Sequence, residues 1–268
     1  MTDLHLIILG VVQGITEFLP ISSSAHLMLV PQVLGGADQG LMVDVGAHAG
    51  TLLAVVMVFW RETWQMACGS FDLLFRRKTD NAKLTWCLVI ATIPGVLAGV
   101  VLLNYQEALL RHIPVIIVSN IVWSLALWWA DTRYPQVNTI SNDLTWKRAL
   151  FAGLMQMIAL IPGTSRSGIT MTAGRFMGFT RLESARLALM MAIPITTGAV
   201  LVVLIKLFSH APTTREIYEF GMVAFVAFVT AFIAVFGLLK WLKKFSFMPF
   251  VVYRLLLALV LIAWLFWQ

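Results

Sequence analysis

GVVQGITEFLPISSSAH, residues 10–26, begins as an apolar helix and cannot continue as one. Gln13 and Glu17 are four residues apart, so a helix carries both on one face. Pro20 then stops that helix, because it lacks an amide donor and crowds the preceding turn. Ser22, Ser23 and Ser24 suit the start of a second helix, where hydroxyls serve the free amides. His26 lies three residues after Ser23, within reach of it on a helical turn. The apolar region around this break covers residues 5–35, and neither piece is long enough to cross a hydrocarbon core, which takes about 20 residues. The stretch therefore reads as a re-entrant helix hairpin. GLMQMIALIPGTSRSGIT, residues 153–170, repeats the design inside an apolar region at 149–178. Gly10 and Gln13 lead into Pro20, while Gly153 and Gln156 lead into Pro162 with one residue fewer before the proline.

Outside these two breaks, six segments are long and apolar enough to span: 41–60, 84–104, 114–130, 185–206, 219–240 and 250–267. The composition agrees, with 60% hydrophobic and 12% charged residues against about 25% charged in soluble domains. The net charge of +6 does not point to nucleic acid, because cytoplasmic loops of membrane proteins collect Lys and Arg. Here Arg61, Arg76, Arg77, Lys78, Lys83, Arg133, Lys147, Arg148, Arg175, Arg181, Arg186, Lys240, Lys243 and Lys244 share one face of a six-span arrangement. The other face keeps Arg111, Lys206 and Arg215. The basic face is thereby expected in the cytoplasm, with both termini and the first hairpin outward and the second hairpin entering from the cytoplasm. Cys68 and Cys87 supply neither a disulfide framework nor metal-ligand spacing.

Each half thus reads as one hairpin followed by three spans, and an odd number of spans inverts the second half relative to the first. The expected fold is an all-α polytopic membrane protein, one membrane domain over 1–268, built of inverted-topology repeats at about 1–130 and 147–268. Gly50 and its apolar run resemble Gly198 and its own. Broken helices that meet in such repeats mark binding sites in many transporters.

The breaks carry the chemistry. An ionisable group at mid-bilayer costs about 2.5–3.5 kcal/mol on insertion scales, so Glu17 and Arg166 facing lipid would cost about 5–7 kcal/mol. That rivals a domain's whole stability of about 5–15 kcal/mol. They must pair, line a wet cavity or bind a charged ligand, and a purely structural Glu17–Arg166 ion pair pinning the hairpins together is the bland solution. Arg166 offers a planar fork for phosphate oxygens. Gly163, Thr164, Ser165, Ser167 and Thr170 around it, with Gln13, Ser22 and Ser24 opposite, are candidate substrate-binding groups. A helix starting at this second break would also aim free amides at an anion. Glu17, Ser23, His26 and Arg166 are the candidate catalytic set, and Glu17 with Gln13 the candidate metal ligands. Spacing leaves the attacking group open between Ser23 activated by His26, His26 itself, and a water activated by His26 or Glu17. Asp44 and His48, at the outer end of the first span, are candidate pocket-lining residues, and Arg254 near the inner end of the last span can snorkel.

At these residues the sequence resembles the undecaprenyl-diphosphate phosphatase family linked to bacitracin resistance. The resemblance rests on Gln13…Glu17, on Glu17-Phe18-Leu19-Pro20-Ile21-Ser22-Ser23-Ser24-Ala25-His26, and on Pro162-Gly163-Thr164-Ser165-Arg166-Ser167-Gly168-Ile169-Thr170, and it covers essentially the whole chain. It implies inverted repeats and hydrolysis of undecaprenyl diphosphate to the monophosphate carrier lipid for cell-wall synthesis. It further implies a divalent cation, Mg2+ or Ca2+, and a site open to the periplasm of a bacterial inner membrane. Many members carry Glu where this chain has Gln13, which leaves one carboxylate fewer for metal. A polyprenyl-phosphate transporter or flippase is the alternative, since transport needs only the cationic clamp. The expected partners are the polyprenyl diphosphate and membrane lipid, with no nucleic acid, and a homodimer is compatible with the sequence.

Overall fold

The computed structural model describes residues 2–27, 40–102, 112–208 and 212–267. Six helices among them are long and apolar enough to cross a membrane. These are α2 (Leu41–Val58), α4 (Asp80–Leu102), α5 (Ile113–Arg133), α9 (Arg181–Phe208), α10 (Thr214–Leu242) and α11 (Met248–Trp267). All six expected spans are present, and the described chain is that of an all-α polytopic membrane protein. Several run past their apolar stretch into the basic face. α9 starts at Arg181 and α10 ends beyond Lys240, because helical hydrogen bonding costs nothing extra once the chain reaches water.

The rest is short. α1 (Asp3–Thr16) and a helical start at 23–27 flank the first break. α7 (Trp146–Met157), a 3-10 turn (Ile158–Leu160) and α8 (Arg166–Phe176) flank the second. At ~1.5 Å per residue none of these reaches across a ~30 Å core. Residues 28–35 of the expected first hairpin and Arg111 lie outside the described residues, as does the side chain of Lys206. A further helix, α3 (Trp60–Leu74), occupies what the charges suggested was a loop, and α6 (Ile140–Asp143) is a single turn. α3 lies against α4, with Trp64, Phe71 and Leu74 exposed on its outer face.

Packing crosses between the halves. α1 lies on α10, whereas α7 lies on α4. Glycines set both contacts: a Cβ on Gly10 would come 2.8 Å from Val226 Cβ, and one on Gly153 would come 2.5 Å from the Ala91 carbonyl. The pairing of Gly50 with Gly198 does not extend to packing. A Cβ on Gly50 would sit 2.1 Å from the Ala224 carbonyl oxygen, while Gly198 faces open space.

The register of the two breaks differs from the one the prolines suggested. Ser22 and Ser165 both adopt the left-handed conformation, φ 72° and 69°. Ser165 follows Ser22 by 143 positions, as Gly153 follows Gly10 and Gln156 follows Gln13, so Pro20 lies opposite Gly163 rather than Pro162. A non-glycine residue held at positive φ costs about 1–3 kcal/mol, a strain that concentrates at functional sites.

Candidate active site

The left-handed serine turns the chain sharply enough for the next helix to begin at the following residue. Ser165 caps α8 by accepting from the Gly168 amide at 3.1 Å. Its Oγ also lies 3.2 Å from Ser167 Oγ, and Ser22 Oγ lies 3.2 Å from Ser24 Oγ in the same relation. The residue after each serine, Ser23 in one break and Arg166 in the other, opens a helix.

The two breaks meet at Glu17. Arg166 Nη2 donates to Glu17 Oε1, forming an ion pair whose side chains are 24% and 5% exposed. Glu17 Oε2 accepts from Ser23 Oγ at 2.8 Å and from Gln13 Nε2 at 3.0 Å. His48 interacts electrostatically with Glu17, which brings the first half of α2 near the same place. The other terminal nitrogen of Arg166 donates to Thr196 Oγ1 on α9 at 2.8 Å. A guanidinium has five N–H groups, so three of Arg166 remain for a ligand. Ser167 Oγ donates to the Leu19 carbonyl at 2.9 Å, a second bond between the breaks. The structural ion pair is therefore present, and the spare donors of Arg166 equip it for more.

Ser23 is not paired with His26. A residue at the start of a helix leans its side chain back toward the N-terminus. That turns Ser23 onto the Glu17 carboxylate. His26 Nδ1 bonds the Ser22 carbonyl at 2.7 Å, and Nε2 lies 2.6 Å from Tyr253 Oη, with the two rings stacked. The group within proton-transfer distance of Ser23 is thus Glu17.

Several hydroxyls expected to face substrate are engaged elsewhere. Thr170 donates to the Arg166 carbonyl at 2.7 Å, and Thr164 Oγ1 lies 2.7 Å from Ser119 Oγ on α5. Gly163, at φ 87°, packs where a Cβ would come 2.5 Å from the Ile116 carbonyl. These residues shape the second break. His48 Nδ1 bonds the Asp44 carbonyl along α2 at 2.8 Å.

Arg254 does not snorkel. It is fully buried, donating from Nε to Asn120 Oδ1 at 2.6 Å and from Nη2 to the Gly163 and Thr164 carbonyls, each at 3.0 Å. Turn carbonyls inside a membrane need donors, and this guanidinium supplies them. Asn120, which holds Arg254, and Tyr253, which holds His26, were not singled out from the sequence. The one available signal was their polarity within apolar spans.

For a divalent cation, no group of three or more His, Cys, Asp or Glu side chains gathers among the described residues. Gln13 Oε1, however, is buried without a partner beside the Glu17 carboxylate that its own Nε2 holds. One carboxylate with one free amide oxygen would hold a hard divalent cation only with further ligands from outside the chain.

Comparison with known proteins supplies the remaining finding. The family model described as bacitracin resistance protein BacA matches residues 6–260. An undecaprenyl-diphosphatase of Aliivibrio salmonicida is 42% identical over 269 residues, 99% of each chain. Undecaprenyl-diphosphatases of Idiomarina loihiensis and Magnetococcus marinus are each 43% identical. They cover 97% of this chain and 98% of theirs, and 96% of each, respectively.

Proposed function

The chain belongs to the bacitracin resistance protein BacA family, and from that premise we propose that it hydrolyses undecaprenyl diphosphate to undecaprenyl phosphate and inorganic phosphate. This is the activity for which its relatives are named. It would return the carrier lipid to cell-wall synthesis and confer bacitracin resistance. The observation that carries the reading is the bonded series Ser23–Glu17–Arg166, which joins a hydroxyl, a base and a phosphate fork across the two breaks. Transport alone would need no hydroxyl held on a carboxylate.

In this reading the diphosphate head lies between the breaks and the polyprenyl tail among the spans. The three spare N–H groups of Arg166 hold the terminal phosphoryl oxygens and offset charge that develops on them. Glu17 Oε2 takes the Ser23 proton as Oγ attacks the terminal phosphorus. The bond to the bridging oxygen breaks, and undecaprenyl phosphate leaves with that proton. A water then gives a proton to Glu17 and attacks the phosphoserine; the Oγ–P bond breaks, phosphate leaves, and Glu17 returns the proton to Ser23 Oγ. Gln13 Oε1 and Glu17 would hold Mg2+ or Ca2+, whose charge neutralises substrate oxygens. His26, fixed by Ser22 and Tyr253, supports the Ser22–Ser24 turn.

The basic-residue bias supports a bacterial inner membrane protein whose site opens to the periplasm. The crossed packing of α1 on α10 and α7 on α4, with the 143-residue register, supports inverted repeats at about 1–130 and 147–268. The test is phosphate release from a long-chain polyprenyl diphosphate by purified protein, with and without chelator. Ser23→Ala and Arg166→Ala should each abolish release in protein that still folds. A near-normal rate in Arg166→Ala would remove the clamp, and a phosphoenzyme surviving in Ser23→Ala would remove the nucleophile.

A further inference from the structure

On the basic face, lined by none of the residues that meet at Glu17, a cleft of about 790 Å³ opens where the end of α2 meets the starts of α3 and α9 and the second half of α10. Its walls are mostly apolar, chiefly Met57, Phe232, Phe236 and Leu239, with one carboxylate, Glu62, among them. Its polar end carries Lys240, on the last turn of α10, and Lys243, the residue that caps it in helical conformation, three apart and therefore neighbours on one face. Arg186 also lines it, but its charge is taken up by Glu62 at 2.7 Å and Glu183 at 2.9 Å. Among the described residues neither lysine has an ion-pair partner.

Two lysines at a helix end offset the helix dipole. That role does not require an apolar cleft beside them. The combination of a greasy groove and two uncompensated ammonium groups at its polar end matches an amphiphile with a single anionic head. In a polytopic protein the amphiphile at hand is membrane lipid, and basic pockets between helices on this face suit acidic head groups. We propose that the cleft binds an anionic phospholipid, with its phosphate on Lys240 and Lys243 and an acyl chain along Phe232 and Phe236. The proposal is independent of the phosphatase reading, because the cleft shares no residue with the Ser23–Glu17–Arg166 series.

The test is thermal unfolding of the whole protein in neutral detergent, titrated with phosphatidylglycerol. A lipid at ten times its Kd should raise Tm by roughly 3–6 °C, while phosphatidylcholine and inorganic phosphate at equal concentration should not. Lys240→Gln/Lys243→Gln should lose the rise, and Arg77→Gln/Lys78→Gln, which removes equal charge from an exposed turn elsewhere, should keep it. If the first pair folds poorly, Phe236→Ala should weaken the lipid response through the apolar wall alone. Retention of the rise in the lysine pair or in Phe236→Ala would overturn the proposal. So would equal loss in both charge pairs, which marks diffuse surface charge, or an equal rise with inorganic phosphate, which marks a bare anion site.

Discussion

The Glu17–Arg166 pair gives a thermodynamic test that separates mutual dependence from mere proximity. Removing one partner of a buried ion pair costs about 3–5 kcal/mol, because the survivor keeps its desolvation cost without its compensation. The side chain of Arg166 is 24% exposed and that of Glu17 5%, so the two single losses should differ. Glu17→Gln leaves Arg166 partly open and still bonded to Thr196, which points to the lower end, about 3 kcal/mol. Arg166→Gln leaves a carboxylate whose remaining hydrogen bonds come from Gln13 and Ser23, with no guanidinium beside it, which points to the upper end. At ~2–4 °C per kcal/mol for chains of comparable length, Glu17→Gln should lower Tm by roughly 6–12 °C and Arg166→Gln by more. The double variant keeps two amides able to bond Gln13, Ser23 and Thr196 and strands no charge. Its loss should fall well short of the sum, by roughly 2 kcal/mol or more, whereas unlinked sites add within about 0.5 kcal/mol. Unfolding of the purified protein in detergent, followed by tryptophan fluorescence, measures all four forms. Additive losses would refute the claim that each charge exists in the membrane because of the other. All three variants should lack phosphatase activity, so the stability cycle carries information that turnover cannot.

Other substitutions test separate parts of the fold by the same unfolding assay. Gly50→Ala should cost about 1–3 kcal/mol by forcing α2 off α10, since its Cβ would sit 2.1 Å from the Ala224 carbonyl oxygen. Gly198→Ala, with open space around it on α9, should instead gain up to about 1 kcal/mol from helix propensity. Gln156→Leu should raise Tm, because both amide atoms of Gln156 are buried without partners and each such atom costs about 1–3 kcal/mol; a fall in Tm would show that the amide is paired in solution. Arg254→Met should lower Tm and turnover together, since it strips donors from the Gly163 and Thr164 carbonyls that set the turn before Arg166; normal turnover would show that the turn holds its shape unaided.

What the sequence could show depended on whether a residue had one physical solution or several. A run of about 20 apolar residues has one, and all six spans stand where hydropathy put them. Trp60–Leu74 had several, because its aromatic residues point outward and its neighbours are basic, so charge counting read it as loop. Glu17 and Arg166 were legible as partners, since each sits on a break inside the membrane and neither could be left alone. Ser23 and His26 were not, because three-residue spacing brings side chains together within a helix interior, whereas Ser23 stands on its first turn. Arg254 is the sharpest case. A cation within a few residues of a helix end can reach water or find acceptors inside, and both look alike in sequence. The Pro162-Gly163-Thr164 turn likewise announces carbonyls that lipid cannot satisfy, without saying what will. Each is an incomplete group at membrane depth, and burial forces the two together. An ionisable residue inside a span is therefore better matched first against the chain's own helix breaks, where unpaired carbonyls are certain to exist, than against the nearest interface.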